Sequence, residues 1–566
     1  MKGLRCAAAV AALVGIVVGT TGPARLVGAS SPATWSVSAT TDTAPNLINE
    51  LNGVSCASAT ACVAVGDATT ATGVVQTLAE SWNGAAWKTL AGPDTSATLD
   101  NTLASVSCWS ATGCMAVGTA TGSTGYLRTL AARWNGSAWS ILSTPDTSAS
   151  FPNSLSGVSC TSATACTAVG SAATATGSAT VVEAWDGTAW TLSPSPQAAG
   201  TADDSLAAVS CPTATTCTAV GYAVDGAGAE QTLVESWAGA AWSVVASPDT
   251  TTGLPNSLDG VSCSSASSCT AVGSAYAPGG TAYRTLVLTW SGGGWSAATS
   301  PDPSTGDDVL QSVACGASGT CTAVGYATTA SGIQQGLVTT TDGGPWSTVT
   351  TPQPGQYGNI LGGVACVATV CTAAGSEETG AGLRQTLAET DLAAPTLEVP
   401  PTAQLTFGVA ASVAASSTGN PAVTYAASGA PKGMTMDPVT GVLSGVPAQV
   451  STFTVKVTAT NGVGTPATGT MAVTVVGPKV TSSVLPPATR GVPYSVQLTA
   501  TSTSPTPVWK KALKLPKGLK LSPSGVISGT PNVKLTPGPY VLKVSLNEAA
   551  TGGKVKVFAQ LTLTIQ

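Results

Sequence analysis

The sequence predicts an all-β chain: a seven-bladed β-propeller closed by its N-terminal strand, followed by two β-sandwiches. Three observations carry this reading. The phrase Leu-x-x-Val-Ser/Ala-Cys, a short spacer, then Cys-x-Ala-Val/Ala-Gly recurs seven times. Its first cysteines are spaced 52, 52, 51, 52, 52 and 51 residues apart. After Pro395 the cysteines stop and a different, longer phrase occurs twice. A fixed period near fifty marks a repeat architecture, in which each unit buries its apolar surface against its neighbours.

Export is expected at the N-terminus. Lys2 and Arg5 precede an apolar run from Cys6 to Val18, and Val27-Gly28-Ala29 supplies small residues for cleavage, so residues 1–29 read as a signal peptide. The run is short for a transmembrane helix and no second long apolar stretch follows. An extracellular or cell-surface location is expected, with no transmembrane span.

Each repeat, within residues 31–394, reads as one blade. In the fourth, apolar runs at Leu206–Cys211, Cys217–Tyr222, Gln231–Trp237 and Ala241–Ala246 give four antiparallel strands. Dipeptides such as Asn83-Gly84, Asn135-Gly136 and Asp186-Gly187 suit two-residue hairpin turns with positive φ at both central positions. The tryptophan pairs Trp82/Trp87, Trp134/Trp139, Trp185/Trp190, Trp237/Trp242 and Trp290/Trp295 flank this turn, and their repetition points to packing between blades. An Asx stands two residues before each Leu (Asn49, Asn101, Asn153, Asp204, Asn256, Asp308, Asn359), which suggests a side chain closing a turn on its own backbone.

Fourteen cysteines form seven local pairs: Cys56/Cys62, Cys108/Cys114, Cys160/Cys166, Cys211/Cys217, Cys263/Cys269, Cys315/Cys321 and Cys366/Cys371. An even set in an exported chain predicts disulfides, each small ring worth about 2 kcal/mol by loop entropy. Metal binding is not expected, because two thiolates per repeat lack further ligands and the chain has no histidine.

The seventh repeat lacks its fourth strand. The matching signature, Thr34-Trp35-Ser36-Val37-Ser38-Ala39-Thr40-Thr41-Asp42, stands before the first repeat. The N-terminal strand is therefore expected to complete the last blade and remove two open sheet edges.

The C-terminal phrases are Pro431-Lys432-Gly433 through Thr440-Gly441-Val442-Leu443-Ser444-Gly445-Val446-Pro447, and Pro516-Lys517-Gly518 through Ser524-Gly525-Val526-Ile527-Ser528-Gly529-Thr530-Pro531. Each precedes an alternating strand, Phe453–Thr460 and Tyr540–Leu546. Segments 395–476 and 477–566 thus read as β-sandwiches. The phrases resemble the immunoglobulin-like family of bacterial surface proteins, whose fold is cadherin-like. That resemblance implies adhesion or spacing, and sometimes calcium, but the two segments hold only Glu398, Asp437 and Glu548 as acids. The Cys-x5-Cys repeats also resemble those of exported bacterial propeller proteins.

Charge is divided. Residues 31–394 hold 24 acids against 5 bases, a balance of −19, while 477–566 hold 11 bases against one acid, a balance of +10. Such asymmetry concerns partners more than fold. The basic end suits an anionic cell-envelope polymer or lipid headgroups. Nucleic acid is not expected for an exported chain.

Catalysis is not expected. Without histidine there is no Ser-His-Asp or Cys-His machinery, no Gly-rich phosphate loop stands between a strand and a helix, and the cysteines are committed. A carboxylate-based, sialidase-like hydrolase is the alternative, yet Arg128, Arg284 and Arg384 sit at third-strand starts, away from the axis where they would have to converge. A passive envelope spacer is a second alternative. Binding is the default, on the face bearing the longer second-to-third and inter-repeat loops. Tyr126, Phe151, Tyr222, Tyr276, Tyr283, Tyr326 and Tyr357 are the candidate ligand contacts there, for an extracellular glycan or protein. No cofactor is predicted.

Overall fold

The computed structural model describes residues 35–43, 46–198, 200, 203–316, 319–380, 382–502, 507–550 and 553–566. The expected signal segment, residues 1–29, and Thr34 lie outside the described residues. Among those described every regular element is a strand, and no helix is present to cross a membrane.

The first repeat forms strands Asn49–Ser58, Ala61–Thr69, Val75–Trp82 and Trp87–Leu90, paired antiparallel in that order. The next five repeats do the same. The seventh has Gly358–Val367, Val370–Gly380 and Leu383–Thr390, and Ser36–Val37 pairs with the last of these, Ser36 opposite Thr390. The side chains repeat the substitution. In units one and two, the amides of Thr77 and Thr129 donate to Asp94 and Asp146; in the seventh, Thr386 donates to Asp42 at 3.0 Å. Trp35 is buried with Leu361 and Leu387. The N-terminal copy of the signature thus does for the last unit what each repeat's own copy does for itself.

Each first strand carries a bulge directly after the phrase's Leu, as between Leu51 and Gly53. Next to the bulge the first strand lies close on the second, which requires the Gly that ends the phrase: a Cβ on Gly66 would lie 2.0 Å from the carbonyl oxygen of Glu50, the residue before the Leu.

Adjacent units pack face to face. Seven hydrophobic clusters each join two units. One unites Met115 and Val117 of the second with Trp185 and Trp190 of the third, and another unites Ala374 and Ala388 of the seventh with Trp82 and Trp87 of the first. The tryptophan rings of a pair lie 5.5–5.9 Å apart. First strands also lie side by side, the seventh beside the first. Hydrogen-bonded ladders alone draw no closed sheet: units three and four meet through a single parallel pair, as do six and seven.

A serine ladder stitches the first strands. The amides of Cys108, Cys160, Cys211, Cys263 and Cys315 donate to Ser55, Ser107, Ser159, Ser210 and Ser262 of the preceding unit at 2.9–3.0 Å. Units six and seven carry Ala314 and Ala365 instead; across the sixth seam Ser312 accepts from the Val364 amide at 3.2 Å.

All seven expected disulfides are formed. Cys56–Cys62, Cys108–Cys114, Cys160–Cys166, Cys211–Cys217, Cys263–Cys269 and Cys315–Cys321 close across six residues and Cys366–Cys371 across five. The shorter loop forces Ala368 into a positive φ of 54°, the one such non-glycine among the described residues.

The second cysteines are more than bridge ends. Cys62, Cys114, Cys166, Cys217, Cys321 and Cys371 each belong to the hydrophobic cluster of their seam. Cys269 departs from this pattern. It is buried and disulfide-bonded to Cys263, but it stands outside the cluster joining units four and five. Its strand partner Trp290 is only half-buried, and a groove of about 240 Å³ opens beside the pair. As a disulfide sulfur Cys269 has no proton to give, so the Thr218 hydroxyl of the preceding unit donates to it, at 3.8 Å. The expected bridge of Cys269 to Cys263 is formed, and its sulfur also lines the seam.

The Asx residues are buried and bind the incoming loop as well as their own turn: Asn101 accepts from the Thr95 amide and donates to the Ser96 and Leu99 carbonyls.

The turn after the third strand is corrected. Four residues, not two, separate the paired tryptophans, so the turn is not of the two-residue type. Gly84 alone has positive φ, and Asn83 caps the loop by accepting from the amides of Ala85 and Ala86.

Residues beyond Ala393 build two sandwiches of the same plan. The first pairs Thr402–Thr406, Ala467–Val476, Ser451–Thr460 and Thr424–Ser428 in one sheet and Ala411–Ala414, Val442–Gly445 and Met434–Met436 in the other. The second repeats that order with Val484–Ala488, Gly553–Ile565, Gly538–Ala550 and Val508–Lys511 facing Tyr494–Gln497, Val526–Gly529 and Leu519–Leu521. Asn420 bolts the first sandwich to the last repeat, donating to the carbonyls of Asp391 and Thr369 and accepting from the Thr369 hydroxyl.

Ser159→Ala removes one rung of the ladder and should lower stability by about 1 kcal/mol. Trp35→Ala should cost about 3–5 kcal/mol, the loss expected of a core tryptophan and not of a loose N-terminal segment. Urea unfolding followed by tryptophan fluorescence measures both.

Candidate functional site

The bulge residue is the variable letter in an otherwise regular phrase. In chain order it is Asn52, Ala104, Ser156, Ala207, Asp259, Gln311 and Gly362. All seven line one narrow cavity, about 170 Å³, bounded by residues from each of the seven first strands. A bulge re-aims a side chain out of the ladder, so the scaffold is constant and its lining changes from unit to unit. Asn52 is held, donating to Asp67 and to the Leu103 carbonyl. Gln311 has a buried amide oxygen without a partner. Burial raises the Asp259 carboxyl to about 7, and the charge of Glu230 adds to it.

The fourth, fifth and sixth units bring tyrosines and acids near one another. Tyr276 and Tyr283 face each other across the second-to-third hairpin of unit five, ring centroids 5.2 Å apart and edge-on. The Tyr283 amide donates to Asp307 at 2.8 Å, which draws the next inter-repeat loop over the hairpin. Burial pushes the Tyr326 phenol up, and Asp307, Asp259 and Tyr283 push in the same direction. Tyr222 is raised by burial, then by Glu230 and Asp203. Four of the seven expected aromatics therefore share one acidic neighbourhood. The other three lie elsewhere: Tyr126 is exposed in a turn of unit two, Phe151 stands in the loop before unit three, and Tyr357 is exposed before unit seven. Among the described residues no hydrogen bond or ring contact joins them to the cluster.

Reading aromatics alone missed Asp259, Glu230, Asp307 and Gln311. The signal for Asp259 and Gln311 was present as the one position of the phrase that takes polar, small and charged residues in turn. Glu230 and Asp307 gave none, since only the fold brings their loops together.

The three arginines are clamps. Arg128 donates to the carbonyls of Ser148 and Ala149, Arg284 to Ser304, Gly306 and Asp308, and Arg384 pairs with Glu50 at 2.9 Å. Trp109, in a disulfide loop, lies under the Arg133 guanidinium at 5.5 Å. In the sixth unit Thr341 replaces the first tryptophan opposite Cys321, and the groove between units five and six widens to about 560 Å³, against about 150 Å³ between units one and two. No group of three or more metal-ligating side chains occurs among the described residues.

Four glutamates are buried in the seams between units. Glu235 accepts from Ser195 of the previous unit at 2.7 Å, Glu389 from Thr351, and Glu80 from the Thr41 amide at 3.4 Å. Burial raises Glu80, Glu235 and Glu389 to about 7 and Glu183 to about 8, the last with help from Asp146.

The family described as "Putative Ig domain" matches residues 387–476 and 477–566, so the C-terminal third carries two immunoglobulin-like domains. The first match begins inside Leu383–Thr390, a strand that pairs within the seventh repeat. No curated protein matches the chain. Among solved structures, the first two repeats of human protocadherin-24 are 16% identical over 31% of this chain and 99% of that one, with a TM-score of 0.15. The Ig1-2 module of the Drosophila receptor protein tyrosine phosphatase DLAR is 16% identical over 30% and 98%, with a TM-score of 0.13. A structure described as a putative alpha-galactosidase from Bacteroides fragilis is 20% identical over 15% of this chain, with a TM-score of 0.14. The chain spans 18% and 21% of the first two structures it matches.

A carboxyl raised on folding binds protons that the unfolded chain has already released, so its stability is full below the unfolded value near 4.5 and falls as pH rises through the folded value. Stability should therefore decline from about pH 5 to pH 8. Glu235→Gln, a neutral isostere, should flatten that decline, as measured by melting temperature across the range; an unchanged slope would exclude Glu235 as a contributor.

Proposed function

We propose that this is an extracellular binding or adhesion protein, in which the repeat body is a seven-bladed propeller and its tyrosine-acid face is the recognition surface. Seven local disulfides and two immunoglobulin-like domains are usual in extracellular proteins. Closure as a ring is supported by the seam between the seventh and first units and by the pairing of Ser36–Val37 with the last sheet.

The observation that carries the reading is the acidic neighbourhood shared by Tyr222, Tyr276, Tyr283 and Tyr326: Glu230 acts on Tyr222 and Tyr283, Asp307 on Tyr283 and Tyr326, and Asp259 on Tyr326, while Tyr276 packs on Tyr283. Rings offer stacking faces, while phenols and carboxylates accept hydrogen bonds from hydroxyls or amines. This suits an extracellular glycan or a hydroxyl-rich or basic protein segment. Tyr126, Phe151 and Tyr357 extend the face over units two, three and seven. The basic second sandwich is the end that docks on the anionic cell envelope. No turnover is assigned: the arginines that a sialidase-like hydrolase would need are engaged as loop clamps.

The test is a glycan and basic-peptide array probed with the full chain. A hit should weaken at least tenfold in Tyr283→Ala/Tyr326→Ala and lose its pH dependence near 7 in Asp259→Asn. Binding untouched by these changes would move recognition elsewhere, and conversion of the bound ligand would make the protein an enzyme.

A further inference from the structure

In the second sandwich, alternation sends Leu542, Val544, Leu546, Leu561 and Leu563 into the core. The opposite face of the same sheet is unusual. Phe558 is 62% exposed, Val541 59% and Val484 76%. Their positions follow from register. Lys510, Ser545 and Phe558 form one row across three strands, and Val541, Thr562 and Val484 form another. Between these rows lies Lys543, opposite Gln560, and beyond Phe558 lies Lys556, opposite Asn547. The Lys556 ammonium sits 4.7 Å from the centre of the Phe558 ring, a cation–π contact. Lys554 continues the face toward the hairpin tip. It carries no acid: Glu548, the sole acid of residues 477–566, is buried.

The first sandwich is an internal comparison. The same sheet with the same strand order presents Thr454, Thr458, Thr470 and Thr474 outward, with Lys456 alone among them. The fold therefore does not require exposed apolar residues here. A sheet can leave one face to water, and that face is ordinarily polar.

We propose that this face docks on an anionic lipid bilayer surface, with Phe558, Val541 and Val484 entering the headgroup region and Lys510, Lys543, Lys554 and Lys556 lying against lipid phosphates. Charge complementarity supplies the attraction, about 1 kcal/mol for each lysine near such a surface. The exposed apolar side chains select a bilayer over a hydrated polymer, because only the bilayer offers apolar matter to bury beneath a plane of negative charge. The inference rests on the reading that the basic end faces the cell envelope, and gives that reading a surface and a chemistry.

The test uses the full chain and co-sedimentation with phosphatidylcholine vesicles, with and without phosphatidylglycerol. Binding should require phosphatidylglycerol and weaken with salt. Lys543→Gln/Lys556→Gln should weaken it by roughly 30-fold, two lysines at the increment above. Phe558→Ser should weaken it severalfold and make the remainder more salt-sensitive, while Lys456→Gln in the first sandwich should change nothing. Soluble polyphosphate serves as the lipid-free anion. Binding to polyphosphate and not to vesicles, or vesicle binding indifferent to Phe558→Ser, overturns the lipid proposal while leaving an envelope dock standing. Binding to neither overturns both.

Discussion

How closely the seven first strands approach one another governs the rest of the repeat body. A Cβ on Gly157 would meet the Ala208 Cα at 2.9 Å, one on Gly260 the Ser312 Cα at 2.9 Å, and one on Gly363 the Gly53 Cα at 3.0 Å. Only glycine, alanine and serine occupy this position across the units. The same proximity lets a serine hydroxyl of one strand reach the cysteine amide of the next. It also leaves the bulge residue nowhere to point but the cavity. One steric fact thus sets the small-residue composition, the serine ladder and the variable lining together.

The seams are not interchangeable. Most of each is branched aliphatic against tryptophan, which any neighbour would satisfy. A buried carboxyl is more selective, because it is costly without a partner. Glu235 finds Ser195 and Glu389 finds Thr351, whereas Ala132, Leu288 and Thr339 stand at the same place elsewhere. Glu80 ties the first unit to Thr41, in the segment whose Asp42 caps Thr386 of the seventh. The N-terminal segment is thereby bonded to both units that flank it, beyond its two residues of strand pairing.

The two proposed roles divide along the charge division. The body concentrates acids, and the fold places several of them among tyrosines at one end of three neighbouring units. The second sandwich concentrates lysines, and the fold spreads four of them over one sheet face around an exposed phenylalanine. Rigid seams make the first a preorganised surface, since the inter-repeat loops beside it are anchored by buried Asx residues. The second is open and broad, suited to a surface and not to a small ligand.

Much of this was legible along the chain. The period defined the units, cysteine spacing of five or six defined the disulfides, and the displaced Trp35-to-Asp42 signature marked the missing fourth strand of the last unit. These are local or repeated patterns, and a repeat writes its pattern seven times. The turn after the third strand was misread because the dipeptide Asn83-Gly84 is ambiguous until the pairing of Trp82 with Trp87 sets the loop at four residues. Cysteine spacing gave Cys269 its bridge to Cys263 but not its place beside Thr218, which belongs to another unit. The site was only half legible. Tyrosines could be placed on a face by strand order, but Asp259, Glu230 and Asp307 are separated by loops of different units, and no periodicity says which of them meet. By itself the sequence determined what each unit is and which cysteines join. Tertiary structure alone decided which side chains share the proposed recognition face and which lysines share the sheet with Phe558, because those neighbours are set laterally, across strands and seams, where linear spacing carries no information.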